Sequence, residues 1–187
     1  MSPVLKNLRV RMIRENLLHI PEFELPARFS VRWYESRRDE KWWLKIQHRA
    51  DLYNRITAEW FEWEFGSDEA VLRERQCYLL NSQRQAIGTG TAWFEQDFDG
   101  RPIGRIHWLA VTPDYQRRGL GKALMTRLCH RLRDLGHQRA YLLTSTARIP
   151  AIKLYLRFGF VPLIQSEEDE ASWRELEGHI NIIAQAA

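Results

Sequence analysis

Gly119 and Gly121 follow the apolar run from Ile106 to Val111 and open a stretch where Leu120, Leu124, Leu128, Leu132 and Leu135 recur at helical spacing. A strand that passes through glycines into a helix makes an anion site. The first amides of a helix lack intrahelical acceptors, the macrodipole adds positive character, and glycine removes the side chains that would hold a phosphate away. Spacing excludes the two common nucleotide loops. A P-loop needs Gly at position 116 and Ser or Thr at 123, where the chain has Gln116 and Ala123; a dinucleotide fingerprint needs a third glycine where Leu124 stands. A phosphate carried by another compound remains.

Other residues could move protons. Tyr155 lies on a leucine-rich helical stretch, where a tyrosine is either a core aromatic with a wet hydroxyl or an acid. His107 lies on the strand before the glycines, either stacked among Trp93 and Trp108 or titrating near neutrality as a base. Glu59, Glu62 and Glu95 suit solvation or the binding of a cation better than proton abstraction. Cys77 and Cys129 sit in apolar segments and read as reduced core residues of a cytoplasmic protein, and no metal site is expected.

Gln116-Arg117-Arg118-Gly119-Leu120-Gly121, after a strand ending in Leu109-Ala110-Val111, resembles the pyrophosphate loop of the GNAT superfamily of N-acetyltransferases. Ala151-Ile152-Lys153-Leu154-Tyr155-Leu156-Arg157-Phe158-Gly159-Phe160 resembles the second recurrent element of that family, A-x-x-L-Y-x-x-x-G-F, and the resemblance spans roughly residues 29–165.

The resemblance implies a mixed α/β fold: a central sheet with antiparallel N-terminal strands, a V-shaped splay between two central parallel strands, and helices on both faces. It implies that the pantetheine arm of acetyl-CoA pairs with Leu109, Ala110 and Val111. The pyrophosphate would take the amides from Arg117 through Lys122, with Gln116 and Leu120 in the same loop and Arg117 and Arg118 adding charge. It implies direct attack of a neutral primary amine on the thioester through a tetrahedral intermediate, with Tyr155 protonating the leaving thiolate. Two family positions are departures: a glutamate often found six residues before Val111 is here Arg105, and an asparagine three residues before Ala151 is here Arg148. His107, two residues after Arg105 on the same face, is therefore the first candidate base.

An acceptor site is expected from the aromatic helices, with Glu59, Trp60, Trp63 and Trp93 as its residues, although such a stripe also serves as core. The expected activity is transfer of acetyl from acetyl-CoA to a small-molecule amine, by a monomer or homodimer. The alternatives are a protein lysine or N-terminal acetyltransferase and a non-catalytic acyl-CoA sensor.

The surrounding pattern suits one α/β domain over residues 29–187, preceded by an arm, 1–28, that contains a short strand within Val10 to Ile20. Strands are expected near Phe29–Tyr34, Gln76–Leu80, Ala86–Glu95, Gly104–Val111, Arg139–Thr144 and from Phe160. Helices are expected over Asp39–Ala50, Thr57–Phe65, Asp68–Arg75 with Ser67 as cap, 120–135, and Ala147–Phe158. The acidic run Glu167 to Glu170 reads as a separator before a last segment, Ser172 to Ile183. No run approaches the ~20 apolar residues of a membrane span, and no secretory leader is evident. The net charge of +4 lies largely beside the glycine loop and on helix faces, which fits an anionic cofactor better than nucleic acid.

Overall fold

The computed structural model describes residues 6–177, 179 and 180. The strands are β1 (Arg9–Arg14), β2 (Ser30–Trp33), β3 (Gln76–Leu80), β4 (Ala86–Phe98), β5 (Arg101–Val111), β6 (Ala140–Ser145) and β7 (Val161–Pro162). They hydrogen-bond in the order β2-β3-β4-β5-β6-β1-β7, a mixed sheet that is antiparallel except for the β5–β6 pair. The helices are α1 (Glu40–Ala50), α2 (Trp60–Phe65), α3 (Glu69–Arg75), α4 (Leu120–Asp134), α5 (Ile149–Arg157) and α6 (Glu167–Glu177). The chain forms two compact units, and β4, β5 and α4 contribute residues to both.

One unit comprises Glu22–Trp93 and His107–Arg131. Alternation along β3 sorts its core into two layers. Tyr78 and Leu80 face Trp43, Ile46, Phe61 and Phe65 of α1 and α2, whereas Leu79 joins Ile87 and Leu120 at the start of α4. Helices thus cover both faces of these strands. Gly88 and Gly90 of β4 keep the second face close: a Cβ on Gly90 would lie 2.6 Å from Leu128 of α4 and 3.2 Å from Leu109.

α2 begins at Trp60, three residues later than the sequence suggests, and ends where Gly66, at φ +68°, sends its amide back to Glu62. Its buried stripe is Phe61 and Phe65. The cap of α3 is Asp68 rather than Ser67, because the Asp68 carboxylate accepts from the amides of Ala70 and Val71. Asp39, at the start of the expected first helix, sits in the helical region and gives α1 no side-chain cap, its carboxylate instead accepting from the Glu35 amide at 2.8 Å and from Arg32.

The other unit comprises residues up to Pro21, Phe94–Ile106 and Leu132 onward. Asp99 and Gly100, at φ +52° and +77°, form the two-residue turn between β4 and β5. β5 and β6 pair in parallel only from Gly104, Arg105 and Ile106 to Ala140, Tyr141 and Leu142, and the ladder stops there although both strands continue. β1 lies between β6 and β7, paired with β6 along its whole length, so part of the expected arm is an interior strand. The acidic run is the first turn of α6, where carboxylates favour the helix dipole and Ser166 accepts from the Asp169 amide at 3.1 Å. Residues 178 and 181–183 of the expected last segment, and 1–5 of the arm, lie outside the described residues.

Candidate active site

Thr112 donates its amide to Ile87 of β4 at 2.8 Å. By strand alternation the N–H and C=O groups of Val111 and Leu109 therefore point to the opposite edge of β5, while Ala110 packs its side chain toward the α1–α2 layer. A single turn, Pro113–Tyr115, then carries the chain to the glycine loop. Arg117 and Gly119 both hold left-handed backbone, at φ +58° and +79°. Such a conformation turns successive amides toward one side, the geometry of an anion nest.

Among the described residues, the amides of Arg117, Arg118, Gly119, Leu120 and Gly121 donate to no protein oxygen, whereas those of Lys122 and Ala123 return to Gly119 at 3.0 and 3.1 Å. The cradle therefore comprises five amides and ends one residue short of Lys122. A Cβ at Gly119 would meet nothing within 4 Å, so the space beside that glycine is open.

The side chains here support rather than line the cradle. Gln116 donates Nε2 to the Val111 carbonyl at 2.8 Å and ties the loop to the end of β5. Arg118 donates to the Asp114 carbonyl and lies over the Tyr115 ring, and the Lys122 ammonium lies 4.7 Å from the centre of the Phe23 ring.

Upstream, Trp108 breaks the alternation of β5. Its φ of +49° is unusual for so bulky a residue and marks a bulge, held by Gln47, whose Nε2 donates to the Trp108 carbonyl at 3.1 Å. The bulge leaves His107 and Trp108 on one face: Trp108 packs edge-on against Trp43 and Trp60, and the His107 ring stands 5.4 Å from Phe65. Leu109 returns to the α4 face beside Leu128.

His107 is 5% exposed, and its Nε2 lies 2.8 Å from Oε2 of Glu64, a pairing the sequence does not announce. Trp93 packs edge-on to Phe65 and Trp60 to Trp108, so both join this aromatic cluster. Glu59 lies before α2 and is exposed, and Trp63 is 75% exposed on the solvent face of α2, opposite the Phe61–Phe65 stripe. The i, i+4 pair Trp60 and Glu64 was the readable signal for the inward edge of α2.

In the other unit, Tyr155 is buried on α5, and burial pushes its phenol up to about 12, with Arg148 acting in the opposite sense. The second motif has a structural meaning. Gly159, at φ +74°, closes α5 with a Schellman turn: the Phe160 amide returns to the Tyr155 carbonyl at 3.1 Å and the Gly159 amide to Leu156 at 2.9 Å. The Phe160 ring then packs against Tyr155, and buried Arg14 of β1 donates to the Phe158 carbonyl at 2.6 Å. Arg148, at the start of α5, reaches Ser145 Oγ at 3.5 Å.

The sequence profile of the acetyltransferase (GNAT) family matches residues 19–160. The chain belongs to that family. It is 29% identical over 141 residues to a mycothiol acetyltransferase of Thermomonospora curvata, an alignment covering 75% of this chain and 47% of that protein. A GCN5-related N-acetyltransferase from Sphaerobacter thermophilus superposes with a TM-score of 0.68 at 20% identity, over 83% of this chain and 48% of that one. The NatC complex bound to Gag peptide and CoA contains a chain that superposes with a TM-score of 0.63 at 16% identity, over 74% of this chain and 87% of that one. This GNAT chain thus spans about half the length of the curated relatives it matches. Among the described residues no helix is long and apolar enough to cross a membrane, and no cluster of metal-ligating side chains occurs.

Proposed function

We propose that this chain transfers an acetyl group from acetyl-CoA to the primary amine of a small molecule. The observation that carries the proposal is the run of five unpaired amides, Arg117 to Gly121, in an open, left-handed loop at the start of α4. That loop fits a pyrophosphate, and the edge of β5 at Leu109 and Val111, turned away from β4, fits an amide-bearing arm running from it. Acetyl-CoA supplies the thioester. Arg117 and Arg118 add positive charge beside the loop, His107 takes the proton of the attacking amine, and Tyr155 gives a proton to the departing thiolate. Burial favours the protonated phenol, the form that this last step needs. The name carried by the relatives, mycothiol acetyltransferase, favours a small acceptor over a protein one.

Calorimetric titration with acetyl-CoA, followed by assay of free thiol against a panel of amines and lysine peptides, tests this reading. Binding with amine-dependent thiol release is expected. Release only with peptides would replace the small acceptor by a protein, and binding without release from any acceptor would leave a sensor.

A further inference from the structure

The 2.8 Å contact between Glu64 Oε2 and His107 Nε2 joins α2 to β5 within one unit. Its surroundings hold it in place. The imidazole is nearly sealed, 5.4 Å from the Phe65 ring and 6.0 Å from the Trp108 ring, and the Glu64 side chain is 31% exposed. The left-handed backbone of Trp108 and its hydrogen bond from Gln47 of α1 fix the strand on which the ring is carried.

The other charged groups near this face are placed differently. Arg105, two residues earlier on β5, has its guanidinium over the Tyr141 ring; Glu95 of β4 acts on the Tyr141 phenol, adding to the rise in pKa that burial causes; and Glu62 of α2 is exposed. From α1, Gln47 presents a neutral amide to β5. Glu64 is thus the carboxylate that faces the imidazole.

We propose that Glu64 is the positioning residue for His107: it orients the ring, favours the tautomer with the proton on Nε2, and offsets the charge gained when the imidazole accepts the amine proton. This rests on the acetyl-transfer reading above. The carbon–nitrogen bond forms first, giving a tetrahedral intermediate, and the carbon–sulfur bond breaks as that intermediate collapses. The proton on the attacking nitrogen passes to the imidazole and then to solvent, the thiolate takes its proton from Tyr155, whose phenolate regains one from solvent, and Glu64 remains ionised throughout. The logic is that of a base held by a third group.

The test compares wild type, Glu64→Gln and Glu64→Asp by NMR titration of the His107 ring without ligand, and by the pH dependence of kcat/KM with acetyl-CoA and an acceptor amine. An adjacent carboxylate stabilises imidazolium, so Glu64→Gln should move the His107 titration to lower pH by about one unit or more. The acid limb of kcat/KM should move the same way, and turnover at neutral pH should fall roughly tenfold, less than the ~10²-fold or more expected for loss of the base itself. Glu64→Asp, which keeps the charge, should restore most of the shift. A His107 titration unchanged in Glu64→Gln overturns the pairing. A shifted titration with an unmoved acid limb overturns its part in catalysis. Wild-type protein that acetylates no amine refutes the acetyl-transfer reading, while the ring titration still reports on the pair.

Discussion

The glycine loop and the His107 neighbourhood lie on either side of Leu109 to Val111, yet they depend on the sequence in opposite ways. In the loop the proposed working groups are backbone amides, and the side chains of Gln116 and Arg118 brace the backbone from outside. Around His107 the proposed working groups are side chains, brought together by a bulge in β5 and by a helix distant in sequence. A backbone site tolerates changes of side chain and is sensitive to anything that fills its space. A side-chain site responds to each atom deleted.

Substitutions can break or sharpen that contrast. The largest effect is expected for Gly121→Asp, which sets a carboxylate in the amide cradle and should abolish coenzyme A binding by calorimetry; affinity like that of wild type would remove the loop from the site. Tyr155→Phe should lower turnover roughly 10²–10⁴-fold with acetyl-CoA affinity nearly unchanged, because only proton donation is lost.

The pH profile adds a sign to this. In the proposed mechanism the protonated phenol is the working form, and burial raises its pKa from 10.0 to about 12, so its contribution is complete at neutral pH and is lost only as pH rises through about 12. The acid limb should therefore survive in Tyr155→Phe, and a limb that vanished would assign it to the wrong residue.

Gln116→Ala removes the 2.8 Å bond to Val111, leaves the amides in place, and should weaken acetyl-CoA binding roughly fivefold, the scale of one neutral hydrogen bond. The smallest effect is expected for Arg118→Ala. This side chain is exposed and engaged with Tyr115 and the Asp114 carbonyl, so a loss of no more than about threefold, diminishing with salt, is expected. A loss larger than that of Gln116→Ala would make the loop a side-chain site.

The contrast also explains what the sequence disclosed. The glycine loop and the Tyr155 motif are short-range: Gly119 and Gly159 occupy left-handed positions that a linear pattern announces, and β3 and α4 follow from local periodicity. β1 was obscure because Arg9–Arg14 gains its place by pairing with β6, more than a hundred residues away. The acidic run looked like a separator because four consecutive acidic residues have no apolar period, although a helix N-terminus accommodates them. The pairing of Glu64 with His107 was hidden for two reasons. α2 starts later than its pattern suggests, which changes the residues it turns inward, and nothing in the sequence signals a left-handed tryptophan at 108.

The measurement that tests the central claim most directly is an amide NMR titration with coenzyme A. The largest shifts should fall on Arg117 through Gly121, the five amides without a protein acceptor, and the start of α3, whose amides Asp68 already caps, should stay unmoved. Saturable binding that left those five amides unshifted would contradict the account.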